Sequence, residues 1–214
     1  MKKKNKKITE AARGAFAGKL SLCMIVRDES RHIRDCIESV KMVVDEIVVV
    51  DTGSGDDTRE IATELGAKVF NFPWSDDFSA ARNESIRRAT GDYILWLDAD
   101  DRMDPQEVRK LGLLKAKLDV RKNQAYYLVL NSQSPIDGET LFHQMRLFPK
   151  IPGALFEGRV HEQIFEVLAR LGVRLIPTDI VIRHIGYPDV ATSVKKTERN
   201  LAILRQALNE EPGN

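Results

Sequence analysis

Cysteine is scarce in this 214-residue chain: Cys23 and Cys36 are the whole supply, at no redox or metal-ligand spacing. Both sit among apolar neighbours, which reads as buried thiols in a reducing compartment and excludes a disulfide scaffold. A long apolar run is also lacking. Runs such as Ile47–Val50 and Ile94–Leu97 fall far short of the ~20 residues a membrane helix needs. Charge of one sign is missing too, since 33 basic residues face 32 acidic ones for a net +1. That balance argues against a dedicated nucleic-acid binder. Aromatics are 7% and prolines eight, so no fibrous or low-complexity class fits. A chain this long buries about 70% of its unfolded surface and needs neither disulfide nor structural metal to hold a core.

What remains is a pattern of short apolar strands alternating with amphipathic helices. Strands are expected at Leu20–Val26, Glu46–Val50, Lys68–Phe72 and Tyr93–Leu97, each followed by a helical stretch. Ile33, Cys36, Ile37 and Val40 mark one helix face, Asp56–Leu65 a second helix and Ala80–Ala89 a third. Gly66 stands where a left-handed cap belongs, and Asp104-Pro105 opens a fourth helix whose buried face is Val108, Leu111, Leu114 and Leu118. Such β-α alternation implies a parallel sheet with helices on both faces. After Lys122 the pattern becomes mixed. Tyr126–Asn131 and Leu141–Phe148 read as strands, the stretch of Ile164, Val167, Leu168 and Leu171 as a short helix, Val173–Ile185 as extended and Val190–Leu208 as helical. The expected organisation is a basic flexible tail (1–19), a nucleotide-binding α/β half (20–122), a mixed α+β region packed beside it (123–188) and a C-terminal helix (189–214).

Lys2, Lys3, Lys4, Lys6 and Lys7 open the tail, but Glu10, Arg13 and Lys19 interrupt any signal-like apolar core, so a cytoplasmic location is expected. Weak peripheral contact with anionic lipid through those lysines is a secondary reading.

In open parallel sheets ligands gather beyond the carboxyl ends of the strands. Polar residues collect there: Val26-Arg27-Asp28-Glu29, then Asp51 through Thr58, then Asp98-Ala99-Asp100-Asp101. Asp98 and Asp100, one residue apart at a strand end, suit a hard cation such as Mg²⁺ or Mn²⁺, or a division between cation and ribose. A cation bridging two phosphates neutralises a departing nucleotide diphosphate. The bland alternative, capping of the helix at Pro105, is already served by Asp104. Asp51, before a Gly-Ser-Gly turn, can accept from a base N–H, or can simply belong to a strand-helix turn. Its Asp-Thr-Gly also suggests an aspartic protease; a helical continuation and the lack of a second copy reject that. His184, closing a β-branched run, is proposed as a further metal ligand because imidazole suits Mn²⁺. His32 reads as an ordinary histidine on an exposed helix face, and His143 and His161 as residues that orient neighbours or line an acceptor site.

Together, Leu22–Glu29, Val48–Ser54, Ala81-Arg82-Asn83 and Ala89–Asp100 resemble, in order and spacing, the family 2 glycosyltransferases of GT-A fold. The likeness is dense over residues 20–105. It implies an inverting transferase using a nucleotide-activated sugar, with UDP as the default carrier, and Mn²⁺ or Mg²⁺. It implies that Val26, Arg27, Glu29, Asp51, Arg82 and Asn83 bind the nucleotide, and that Asp98, Ala99 and Asp100 serve ribose, diphosphate and metal. His143–Phe148, Phe156–Glu162 and His184–Tyr187 are similar to a bacterial subgroup often joined to tetratricopeptide repeats. Gln144-Met145-Arg146 is not the Gln-X-X-Arg-Trp of processive synthases, so one sugar per encounter is expected. Glu162 stands where the family places its late carboxylate and is the candidate base, with Asp137 and Glu157 as rivals. The acceptor is a saccharide, a lipid-linked sugar or a peptide. Glu210–Asn214 reads as the lead-in to a first repeat. Two other classes compete: a phosphatase with Asp98 as nucleophile, and a non-catalytic sugar-nucleotide-binding module.

Overall fold

The computed structural model describes residues 18–134, 138–186 and 198–206. Residues 1–17 of the expected basic tail, Asp137, Tyr187 and the segment 207–214 lie outside these. Four strands make the first half: β1 (Leu20–Val26), β2 (Glu46–Asp51), β3 (Lys68–Asn71) and β4 (Tyr93–Trp96). All pair in parallel, with Val26 beside Asp51 and Cys23 beside Trp96. Both faces of β1, β2 and β4 are covered, and the side-chain period of two sorts their residues into two core layers. Leu22, Met24 and Leu95 pack with helices α1 (Ile33–Val40), α2 (Thr58–Glu64) and α4 (Pro105–Lys115). Cys23, Val48, Ile94 and Trp96 pack instead with α3 (Phe78–Arg88) and α5 (Phe165–Arg170). Burial pushes the Cys23 thiol up to about 12, so it serves as core rather than as a nucleophile.

The second half lies beside this sheet by extending it. After β5 (Asp101–Arg102), strands β6 (Gln124–Ser134), β7 (Gly138–Pro149) and β8 (Arg174–His184) complete the order β3-β2-β1-β4-β7-β6-β8-β5. β7 runs antiparallel to β4, placing Leu147 beside Leu95. β5 is too short to register as a strand from its residues, yet it pairs Asp101 with His184 on β8. One hydrogen-bonded ladder thereby carries a residue from the end of the chain's second half to the acidic turn of the first.

Several boundaries differ from expectation for local reasons. Helix α3 begins two residues early because the Asp77 side chain accepts from the Ala80 N–H at 2.9 Å. Asp104 occupies the N-cap of α4 without capping it; its carboxylate pairs with Arg183 at 2.7 Å. His32 is half-buried at the α1 N-cap rather than on an exposed face. Its carbonyl accepts from Arg102 at 2.7 Å, and burial with the Arg102 charge lowers its pKa. Gly66 has the left-handed φ of +90° its position required. Of the expected 190–208 helix, residues 198–206 are described and are helical.

Candidate active site

The polar strand ends meet in one cleft of about 240 Å³. Of the residues expected there, Val26, Arg27, Glu29, Arg82, Asp98, Ala99, Asp100 and His184 line it, joined by Thr52, Trp74, Phe78 and Arg199. Each arrives by a different route: β1 ends at Val26, α3 carries Arg82, β4 runs out into Asp98, and the β5–β8 pairing delivers His184.

Three expected residues are placed elsewhere. Asp51 is 2% exposed, and its carboxylate accepts from the Gly53 and Ser54 N–H groups and the Ser54 hydroxyl. Its neighbour Thr52 takes the place in the cleft wall. The Asn83 amide clamps Phe156 from both sides, donating to its carbonyl at 3.0 Å and accepting from its N–H at 2.7 Å. It therefore fastens the 156 segment to α3. Glu162, 11% exposed at its side chain, reaches the site through Arg82, whose Nε donates to it at 2.5 Å.

Arg82 joins two acids, since its Nη2 donates to Asp98 Oδ1 at 2.9 Å. Burial opposes a charge at Asp98, but Arg82 and Arg146 overcome that cost and hold its carboxyl well below the usual range. Burial likewise works against the Arg82 cation, and the Asp98 and Glu162 charges raise its pKa nonetheless. The two guanidiniums also stack on Trp96, with their carbons 4.1 Å and 3.6 Å from the ring centroid for Arg82 and Arg146.

Asp100, Asp101 and His184 offer ligand atoms that all lie within 4.8 Å of one another, so a cation fits by both spacing and donor type. Their roles differ. Asp101 is fully buried; its Oδ1 meets His184 Nδ1 at 2.9 Å, while its Oδ2 accepts from the Asp98 N–H at 2.8 Å and pairs with Arg146 at 3.0 Å. Asp100 and His184 are the pair that line the cleft. Burial lowers the basicity of His184, and the Asp101 hydrogen bond with the charges of Asp100, Asp101 and Asp98 reverses this and raises its pKa.

Sequence reasoning placed Asp101 among the strand-end acids without a role of its own, and missed Arg146, Trp74 and Arg199 as site residues. Arg146 did leave a signal: a lone cation inside the apolar run Met145–Phe148 must find buried acids.

Comparison with known proteins agrees with this geometry. Glucosyl-3-phosphoglycerate synthase from Mycobacterium tuberculosis, solved with Mn²⁺, UDP and glucosyl-3-phosphoglycerate, superposes with a TM-score of 0.63 at 18% identity, covering 91% of this chain and 81% of that one. That likeness shows a shared fold. A TPR repeat-containing protein of Synechococcus elongatus is 41% identical over 181 residues, which are 81% of this chain and 44% of the relative. The prophage-derived glycosyltransferase SunS of Bacillus subtilis is 30% identical over 198 residues, 89% of this chain and 45% of that protein. The chain thus spans less than half the length of these two relatives. The profile of glycosyl transferase family 2 matches residues 21–132, just over half of the chain and the stretch that builds β1 to β4 and the acidic turn. With the parallel strand ends, the Asp98–Asp100 pair and that match in agreement, the chain belongs to glycosyl transferase family 2.

Proposed function

We propose that this chain transfers a single sugar from a nucleotide diphosphate donor, UDP-linked by default, to a saccharide, lipid-linked or peptide acceptor, with inversion and with Mn²⁺ or Mg²⁺. The observation that carries the reading is the meeting of Asp98, Asp100 and His184 in one cleft at the carboxyl ends of parallel strands. Val26, Arg27 and Glu29 face the nucleotide along one wall, and Asp98 serves ribose and diphosphate. Asp100 and His184 hold the cation. When bound, the cation supplies Lewis-acid neutralisation of the leaving diphosphate.

In this reading the acceptor hydroxyl attacks the anomeric carbon from the face opposite the diphosphate. Its proton passes to Glu162 as the bond to the phosphate oxygen breaks. Arg82 orients Glu162 and, through Asp98, ties it to the donor side of the cleft. The rival Glu157 is exposed and held by Arg170 at 2.6 Å; neither acid lines the cleft, but Glu162 is paired with Arg82, which does. An Asp98-nucleophile phosphatase is disfavoured because both carboxylate oxygens already accept from guanidiniums, Oδ1 from Arg82 and Oδ2 from Arg146.

Thermal-shift screening of nucleotide-sugars with and without Mn²⁺ tests the donor, since a true ligand stabilises in proportion to its excess over Kd. A shift with a UDP-sugar that depends on Mn²⁺, followed by turnover, supports the reading. Equal shifts without metal, or binding with no transfer or hydrolysis across a broad acceptor panel, would favour the non-catalytic module.

A further inference from the structure

The six ionic groups around the cleft form one unbroken chain: Glu162, Arg82, Asp98, Arg146, Asp101, His184. Arg146 is its least accessible cation, 1% exposed. Its guanidinium lies 3.6 Å from the Trp96 centroid and 3.0 Å from Asp101 Oδ2. It donates to the Trp96 carbonyl at 3.3 Å, to Asp98 Oδ2 at 3.4 Å and, through Nε, to Gln144 at 3.0 Å. All three nitrogens of the group are engaged, one face stacks on Trp96, and Arg146 is not among the residues lining the cleft.

A buried ion network is a poor way to gain stability, because desolvation consumes most of the Coulombic return and apolar replacements often serve as well. What such a network does supply is orientation. The three potential ligands Asp100, Asp101 and His184 are close enough for Asp101 to turn toward a cation. Two partners hold it back: Arg146 on one oxygen and the His184 ring on the other. Held so, Asp101 fixes the imidazole through Nδ1 at 2.9 Å, with Asp100 Oδ1 3.5 Å from the same nitrogen, and a carboxylate partner of this kind sets the orientation of a metal-ligating histidine.

We propose that Arg146 is a positioning residue for the cation site, anchoring Asp101 against His184 and Asp98 beside Asp100 so that Asp100 and His184 present their donors to the ion. This rests on the metal part of the function proposed above. Arg146 acts from β7, next to the strand that carries the acids, and touches neither cation nor substrate. Its planar fork reaches both carboxylates at once; a lysine ammonium keeps the charge without that span.

The test is Mn²⁺ titration of the whole chain, without nucleotide, followed by the electron paramagnetic resonance signal of free Mn²⁺, with melting curves on each variant. Arg146→Met is expected to weaken Mn²⁺ binding by about tenfold or more, the usual scale for losing an outer partner of a ligand. Arg146→Lys recovers part of that loss. Gln144→Leu removes the acceptor that orients the Arg146 Nε while leaving every charge in place; a weakening of about threefold at unchanged melting temperature is expected. If Arg146→Met does not fold, the lysine and Gln144 variants decide. Wild-type Mn²⁺ affinity in the folded variants overturns the proposal and leaves the metal site standing. Failure of the unmodified chain to bind Mn²⁺ overturns both.

Discussion

Two carboxylate networks sit at opposite ends of the same parallel strands, and they are built to different purposes. At the amino end, Glu46 of β2 accepts from the Ser21 hydroxyl, from Lys68 at 2.7 Å and from the Thr90 N–H and hydroxyl at 2.7 and 3.0 Å. Each partner comes from a neighbouring strand or turn, so both Glu46 oxygens are tied into the fold even though the cluster borders a small cavity of its own. At the carboxyl end, Asp98 is gripped from behind by Arg82 and Arg146 while its flank, with Asp100 and His184, faces a cleft. A network tied into the fold fastens strands. An open one, paid for by buried cations, keeps charge poised at a surface.

This contrast breaks first at Asp100. Asp100→Ala should lower turnover by roughly 10²–10⁴-fold through lost charge stabilisation, whereas Glu46→Ala should leave turnover near wild type. Steady-state rates of the two variants with a UDP-sugar and Mn²⁺ separate the ends of the sheet; equal losses would erase the distinction. Next comes Glu162→Gln, expected to cut kcat about a hundredfold or more while the Mn²⁺-dependent thermal shift by the donor persists. Loss of donor binding instead would make Glu162 a structural partner of Arg82.

Smaller effects sharpen the amino-end side. A Cβ on Gly91 would stand 2.5 Å from the Ser21 hydroxyl and 2.8 Å from the Lys19 carbonyl. Gly91→Ala is therefore expected to cost about 1–3 kcal/mol in urea unfolding, with Mn²⁺ affinity unchanged. The weakest effect is in pH. Burial disfavours the Glu46 anion, but Lys68, Ser21 and Thr90 outweigh it and depress its pKa from 4.5 to about 2. A depressed carboxyl contributes stability that is complete above its unfolded pKa and fades as pH falls toward 2. Melting temperatures of wild type between pH 5 and about 2 should fall more steeply than those of Glu46→Gln, and parallel curves would remove Glu46 from the account.

Much of the donor side was legible because its signals are local. A strand buried on both faces shows as an unbroken apolar run, and the acids that follow Val50 and Leu97 declare the strand ends. Ordered motifs over residues 20–105 pointed to the family that the profile match over 21–132 then showed. His184 could be nominated from chemistry, but nothing near it in the chain announces Asp101, 83 residues away, as its partner. Arg146 and Asp98 are separated by 48 residues, Arg82 and Glu162 by 80. Such pairs depend on strand register, and a shift of one residue would turn each side chain to the opposite face. Asn83 illustrates the limit from the other side: its neighbour Arg82 enters the cleft, while one position along α3 the amide faces Phe156.

By itself, the sequence determined the alternation of strands and helices, the burial of both cysteines, and the acidic turns at the strand ends. Those follow from apolar periodicity and local turn chemistry. Tertiary structure alone decided that the second half extends the sheet, that His184 meets Asp101, and that Arg146 binds Asp98 and Asp101. These are contacts between distant segments, set by which strands pair and in what register, and no local pattern along the chain encodes them.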